Sequence, residues 1–173
     1  MYLLDANSFI QSQNVYYPID VFPSVWDTFE ALALKGEIGI LENVRSEIIR
    51  DNDQSAHWLK RKFPKSAIFD VDQQTMNAYK IIQNDVADSK RYKTTALSVF
   101  ADSSRADAYI CAYAMSHLGV TVVTYEVSNG DKFDPKNPFK QVKIPDVCKL
   151  ENIDILEGHP SIANMFKRLN ILL

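Results

Sequence analysis

The chain has 173 residues, 46% of them hydrophobic and 24% charged, with only 5 Gly and 7 Pro. That length suffices for one domain with a sizeable core, and the composition excludes a disordered chain, a collagen-like fibre and a disulfide scaffold. Nineteen Lys and Arg against 22 Asp and Glu leave a net charge of −3, the wrong sign for holding nucleic acid by backbone charge neutralisation alone.

The chain opens MYLLDANSFI. It has no basic n-region, and Asp5 breaks the apolar run that a signal peptide needs. No apolar stretch approaches the ~20 residues of a membrane span. A soluble, cytoplasmic protein without a membrane partner is therefore expected. Tyr2-Leu3-Leu4 reads as a first strand, ended by Asp5-Ala6-Asn7-Ser8, where Asn7 or Ser8 could cap a following helix. Val25 to Lys35 repeats apolar residues at helical spacing and stops at Gly36. Ile38 to Leu41 is a second buried strand, and Asn43 to Arg50 a helix with Val44, Ile48 and Ile49 on one side.

Ser55 to Phe63 reads as a further helix closed by Pro64. Ala67 to Val71 is a short strand, Gln73 to Val86 a helix, and Thr95 to Phe100 another. Asp107 to Leu118 is apolar nearly all round, which marks a buried helix ended by Gly119. Val120 to Thr124 is rich in β-branched residues and predicts a strand. Residues 128–140 form a turn-rich polar loop, 153–156 a final strand and 161–169 a closing helix. Strands separated by helices predict a three-layer α/β/α sandwich around a central, mainly parallel sheet.

Ligands of such a sheet collect beyond the carboxyl ends of its strands. Asp5 directly follows the first strand, and Glu126 lies just past the strongest one, after Thr124 and Tyr125. Glu47 lies on the helix after the second strand, and Asp107 opens the buried helix. Four crowded carboxylates repel unless cations share the site, and their hard oxygens select Mg²⁺ or Mn²⁺. Each acid also has a plainer reading. Asp5 can begin a turn, Glu47 can sit on a solvated face beside Arg45 and Arg50, and Glu126 can belong to a loop. Ser104 and Asp107 match the capping-box spacing.

Asn7 and Thr124 are candidates for holding phosphate or water. Two basic clusters, Lys60-Arg61-Lys62 with Lys65 and Lys90-Arg91 with Lys93, could guide an RNA strand or simply be solvated faces. Cys111 and Cys148 lack C-x-x-C spacing and read as buried, reduced thiols. His57, His117 and His159 are too scattered for a metal set and read as surface or capping residues. An aspartyl phosphatase of the haloacid dehalogenase type needs a second acid two residues after the first, where this chain has Asn7. A phosphoacceptor domain needs an acidic pair near the first strand, and a dinucleotide site needs a glycine signature. Neither feature is present in the sequence.

Taken in order, YLLDANSFI, VRSEIIRD, RADAYICAYA and TVVTYE resemble the PIN-domain family of metal-dependent ribonucleases. VKIPDVC, residues 142–148, is similar to the tail of a prokaryotic branch of that family. The resemblance implies a Mg²⁺- or Mn²⁺-dependent endoribonuclease, with Asp5, Glu47 and Asp107 as core metal ligands and Glu126 as the fourth. One or two ions are implied. It further implies the toxin of a toxin–antitoxin pair, with an RNA substrate, a small antitoxin partner and a homodimer. Residues 1–173 would form a single PIN-like domain, with a helical elaboration at about 52–100 and a loop insertion at 128–140. The alternative from a different class is a catalytically weak module acting through protein partners.

Overall fold

The structure is a computed structural model that describes residues 1–50 and 52–171. Its centre is a five-stranded, wholly parallel sheet in the order β3-β2-β1-β4-β5. The strands are β1 (Tyr2–Leu4), β2 (Ile38–Leu41), β3 (Ile68–Phe69), β4 (Thr121–Val123) and β5 (Ile155–Leu156). Register pairs Leu3 with Gly39 on one side and with Val122 on the other. β2 is buried at all four residues, as a parallel strand covered on both faces must be.

The helices between strands set the layers. α1 (Ala6–Gln11), a π-helical turn (Ser12–Tyr16) and α2 (Pro23–Leu34) link β1 to β2, while α3 (Glu42–Arg50) and α4 (Gln54–Lys62) link β2 to β3. α5 (Gln73–Asp88), α6 (Thr94–Phe100) and α7 (Asp107–Ser116) carry the chain from β3 back to β4. α8 (Ile144–Leu150) precedes β5, and α9 (Ser161–Arg168) closes the chain. The chain moves outward from β1 to β3 and then returns to the other side of β1. With right-handed crossovers, this reversal puts the two helix groups on opposite faces of the sheet. The packing agrees, since α3 meets α1 and α4 whereas α7 meets α5 and α8. The fold is thus a three-layer α/β/α sandwich.

Local chemistry accounts for most boundaries. Asp53 and Asp72 cap α4 and α5 through the backbone N–H groups of Ala56 and Thr75. Gly36 and Gly119 follow α2 and α7 in the left-handed region (φ 72° and 76°), which a residue without Cβ adopts freely. On one face Phe9 lies 5.6–6.4 Å, centroid to centroid, from Trp26, Phe29, Trp58 and Phe63. Cys111 and Cys148 are free and buried. His117 ends α7, stacks on Tyr113 and pairs with Asp72. Among the described residues no helix is long and apolar enough to cross a membrane.

Several elements differ from the sequence reading: the π-helical turn Ser12–Tyr16 is additional, and the strand read over Ala67 to Val71 is confined to Ile68–Phe69. α1 begins immediately after β1, so Asn7 and Ser8 lie inside it rather than at its cap. Residues 144–150 form α8, although the sequence carries its signals: a proline in the first turn, Asp146 beside it and Lys149 near the end.

Candidate active site

The reversal of strand order falls between β1 and β4, and the chain leaves both strands at the same edge of the sheet. Asp5 takes the N-cap position of α1, yet its carboxylate makes no cap hydrogen bond. It is 2% exposed and accepts a 2.8 Å hydrogen bond from Thr124 Oγ1. The same Thr124 Oγ1 accepts the backbone N–H of Glu126 at 3.0 Å. The Val123 carbonyl accepts from the Asp5 N–H and from Ser8 Oγ. These bonds clamp the end of β1 to the end of β4 and fix Asp5 relative to Glu126.

Glu47 reaches in from α3. Its Oε1 accepts the backbone N–H of Ala106 at 2.8 Å, which satisfies one of the free donors at the N-terminus of α7. Ala106 is the N-cap of that helix and Asp107 its first residue. The capping box expected from Ser104 does not form, because a carboxylate from another helix does that work. Asp107 is left free of a cap role and faces the other acids.

Asp5, Glu47, Asp107 and Glu126 line one open cavity of about 440 Å³, with Asn7 on its wall. Arg50 and Arg105 stand at the same cavity. Burial and the negative charge of Asp107 push the Asp5 carboxyl up from 3.8 to about 7. Burial, with the charges of Glu126 and Glu47, pushes Asp107 up to about 6, against the opposing pull of Arg105 and Lys143. Both shifts have one cause, negative charge held away from water with too little positive charge beside it.

Glu126 differs from the other acids. Its Oε1 accepts from Lys143 Nζ at 2.9 Å and its Oε2 from the backbone N–H of Ile144 at 2.9 Å. It therefore ties the chain after β4 to the start of α8. Among the described residues no set of three His, Cys, Asp or Glu side chains forms a group that could hold a metal ion as it stands. Glu47 and Glu126 are each turned toward protein donors instead.

The basic clusters singled out in the sequence do not line this cavity. Arg61 and Lys62 border a separate apolar cavity beside Ile19 and Trp58, and Lys62 pairs with Glu30. Lys60 donates to Asn52. Arg91 donates to the Gly130 carbonyl and lies over the Phe139 ring, while the Lys93 N–H donates to the Phe139 carbonyl. Lys90 follows α5 at φ 55°. Arg91 and Lys93 thus hold the 128–140 loop. The cations beside the acids are Arg50 and Arg105 at this cavity and Lys143 on Glu126; the sequence reading named Arg50 only as a neighbour of Glu47 and passed over the other two. Lys143 left a faint signal, lying one residue before a helix that begins Ile-Pro-Asp.

Fold and site together define an α/β/α protein with a carboxylate-lined cavity at the topological switch of a parallel sheet. A family model described as "Domain of unknown function (DUF4411)" matches residues 2–171, and the chain belongs to that family. No curated protein and no solved structure matches it.

Proposed function

We propose that this chain is a Mg²⁺- or Mn²⁺-dependent endoribonuclease of PIN-like type. The observation that carries the reading is the gathering of Asp5, Glu47, Asp107 and Glu126 on one cavity at the carboxyl ends of β1 and β4. A purely structural set of acids would be paired with bases, and Asp5 has only a threonine hydroxyl. The donors are all oxygen, which suits a hard divalent cation. Burial and the neighbouring carboxylates raise Asp5 and Asp107, and a cation in the cavity would offset that repulsion.

Asp5, Glu47 and Asp107 are the residues that would hold the ion. When bound, it supplies Lewis-acid activation of water and neutralises charge on the phosphate. Thr124 orients the Asp5 carboxylate through its hydroxyl. Glu47 sets the position of Asp107 by binding the N-terminus of the helix that carries it. Glu126 anchors Lys143 at the cavity edge, and this ammonium keeps two further donors for a phosphate oxygen. Arg50 and Arg105 attract the RNA backbone to an otherwise acidic pocket.

The PIN-like resemblance adds a cytoplasmic toxin, a small antitoxin partner and a homodimer. The test is cleavage of labelled RNA by wild type, Asp5→Asn and Asp107→Asn with Mg²⁺, Mn²⁺ or EDTA, beside calorimetric titration of Mn²⁺. Metal-dependent cleavage by wild type alone is expected, with Mn²⁺ binding weakened in both variants. A wild-type chain that binds no Mn²⁺ and leaves RNA intact overturns the reading in favour of a non-catalytic module.

A further inference from the structure

A second cavity, of about 300 Å³, adjoins the acid cavity and shares Arg105, Asp107 and Glu126 with it. Its walls are chemically divided. Ala96, Val99 and Phe100 of α6 form an apolar side, Lys140 and Lys143 with Arg105 a cationic side, and Asp107 and Glu126 the border with the acid cavity. Arg105 and Lys140 are exposed, and among the described residues neither makes an ion pair. Lys143 is held by Glu126 at the junction of the two cavities.

The backbone that carries Lys140 and Lys143 is fixed before any ligand arrives. The Phe139 N–H donates to the Arg91 carbonyl, the Lys93 N–H to the Phe139 carbonyl and Asn129 Nδ2 to the Gln141 carbonyl. Buried Asp146 accepts from Ser128 Oγ, Asn129 Nδ2 and Tyr92 Oη. The segment leading to Lys143 is thus stitched to the start of α6, so both walls are parts of one fixed unit. Preorganisation of this kind lowers the entropy lost on binding.

We propose that this second cavity binds a single nucleotide of the substrate, the one next to the bond cleaved in the acid cavity. The inference rests on the nuclease reading for its place in the reaction. The volume lies at the low end of ligand pockets (about 300–1,000 Å³), room for one nucleoside monophosphate. The base packs on Val99 and Phe100, and its phosphate meets Lys140, Arg105 and the free donors of Lys143. An apolar side and three cations, of which Lys143 is already paired with Glu126, complement a ligand with a flat base at one end and an anion at the other.

The test is calorimetric titration of adenosine 5′-monophosphate and of inorganic phosphate into the full chain in EDTA, for wild type, Val99→Glu and Lys140→Glu. Both positions are exposed, and unaltered thermal unfolding verifies that each variant folds. The nucleotide is expected to bind wild type about tenfold or more tighter than phosphate, and to weaken by about tenfold or more in each variant. No nucleotide binding to wild type, equal affinity for phosphate, or two variants that bind as wild type overturns the proposal. RNA cleavage without nucleotide binding refutes this cavity alone. Nucleotide binding without cleavage supports the cavity and refutes the nuclease reading.

Discussion

Replacing Asp5 with asparagine should stabilise the metal-free protein at alkaline pH. A carboxyl raised from 3.8 to about 7 opposes folding, once ionised, by about 4 kcal/mol at ~1.4 kcal/mol per pH unit. Asparagine removes that charge and keeps an oxygen for the Thr124 hydroxyl. Its buried NH₂ then lacks an acceptor, which costs about 1–3 kcal/mol. The net gain at pH 8 in EDTA is about 1–3 kcal/mol, a rise in Tm of several degrees for a chain of this size.

The sign depends on pH. A folded-state value above the unfolded one means that folding takes up protons. The Asp5 contribution favours folding fully below about pH 4 and is lost as pH rises through 7. Asp107 acts in the same direction between 3.8 and about 6. The advantage of Asp5→Asn should therefore shrink as pH falls from 8 and reverse before pH 4. Excess Mn²⁺ should also cancel or reverse it at pH 8, since wild type gains about 2.7 kcal/mol at a hundred times Kd. Differential scanning calorimetry of both proteins from pH 4 to 8, with EDTA or Mn²⁺, decides the matter. A variant less stable than wild type at pH 8 in EDTA, with a difference that does not change with pH, would refute the electrostatic account of this site.

Glu47→Ala should cost about 1–2 kcal/mol by freeing the Ala106 N–H at the start of α7, whereas Glu47→Gln keeps the acceptor and most of the stability; urea unfolding separates the two. Phe9→Ala should cost about 3–5 kcal/mol, because the ring touches four other aromatics and is fully buried, and a loss under 1 kcal/mol would contradict that packing. Asp146→Ala removes the acceptor for Ser128, Asn129 and Tyr92. Limited proteolysis should then cut within residues 128–140 well before the rest of the chain, and an unchanged cleavage pattern would show that the loop is held otherwise.

The sequence by itself determined the class of fold. Its apolar helices α2 and α7 end at Gly36 and Gly119, where left-handed turns stop them on local chemistry alone. The order of the four acids was equally legible: Asp5 and Glu126 come just after strands, Asp107 opens a helix and Glu47 lies within the helix that follows β2. What stayed hidden were partnerships between residues far apart in the chain. Nothing local says that Glu47 would cap a helix 59 positions later, displacing the Ser104 capping box. Nor does spacing reveal that Glu126 would engage Lys143, or that Arg91 would hold the 128–140 loop by way of Gly130. Hydrogen bonds and ion pairs of this kind are set by the crossing of chain segments at the sheet edge, and periodicity carries no record of them. The choice of cations around the acids, and the second cavity they help to form, therefore belonged to the tertiary structure.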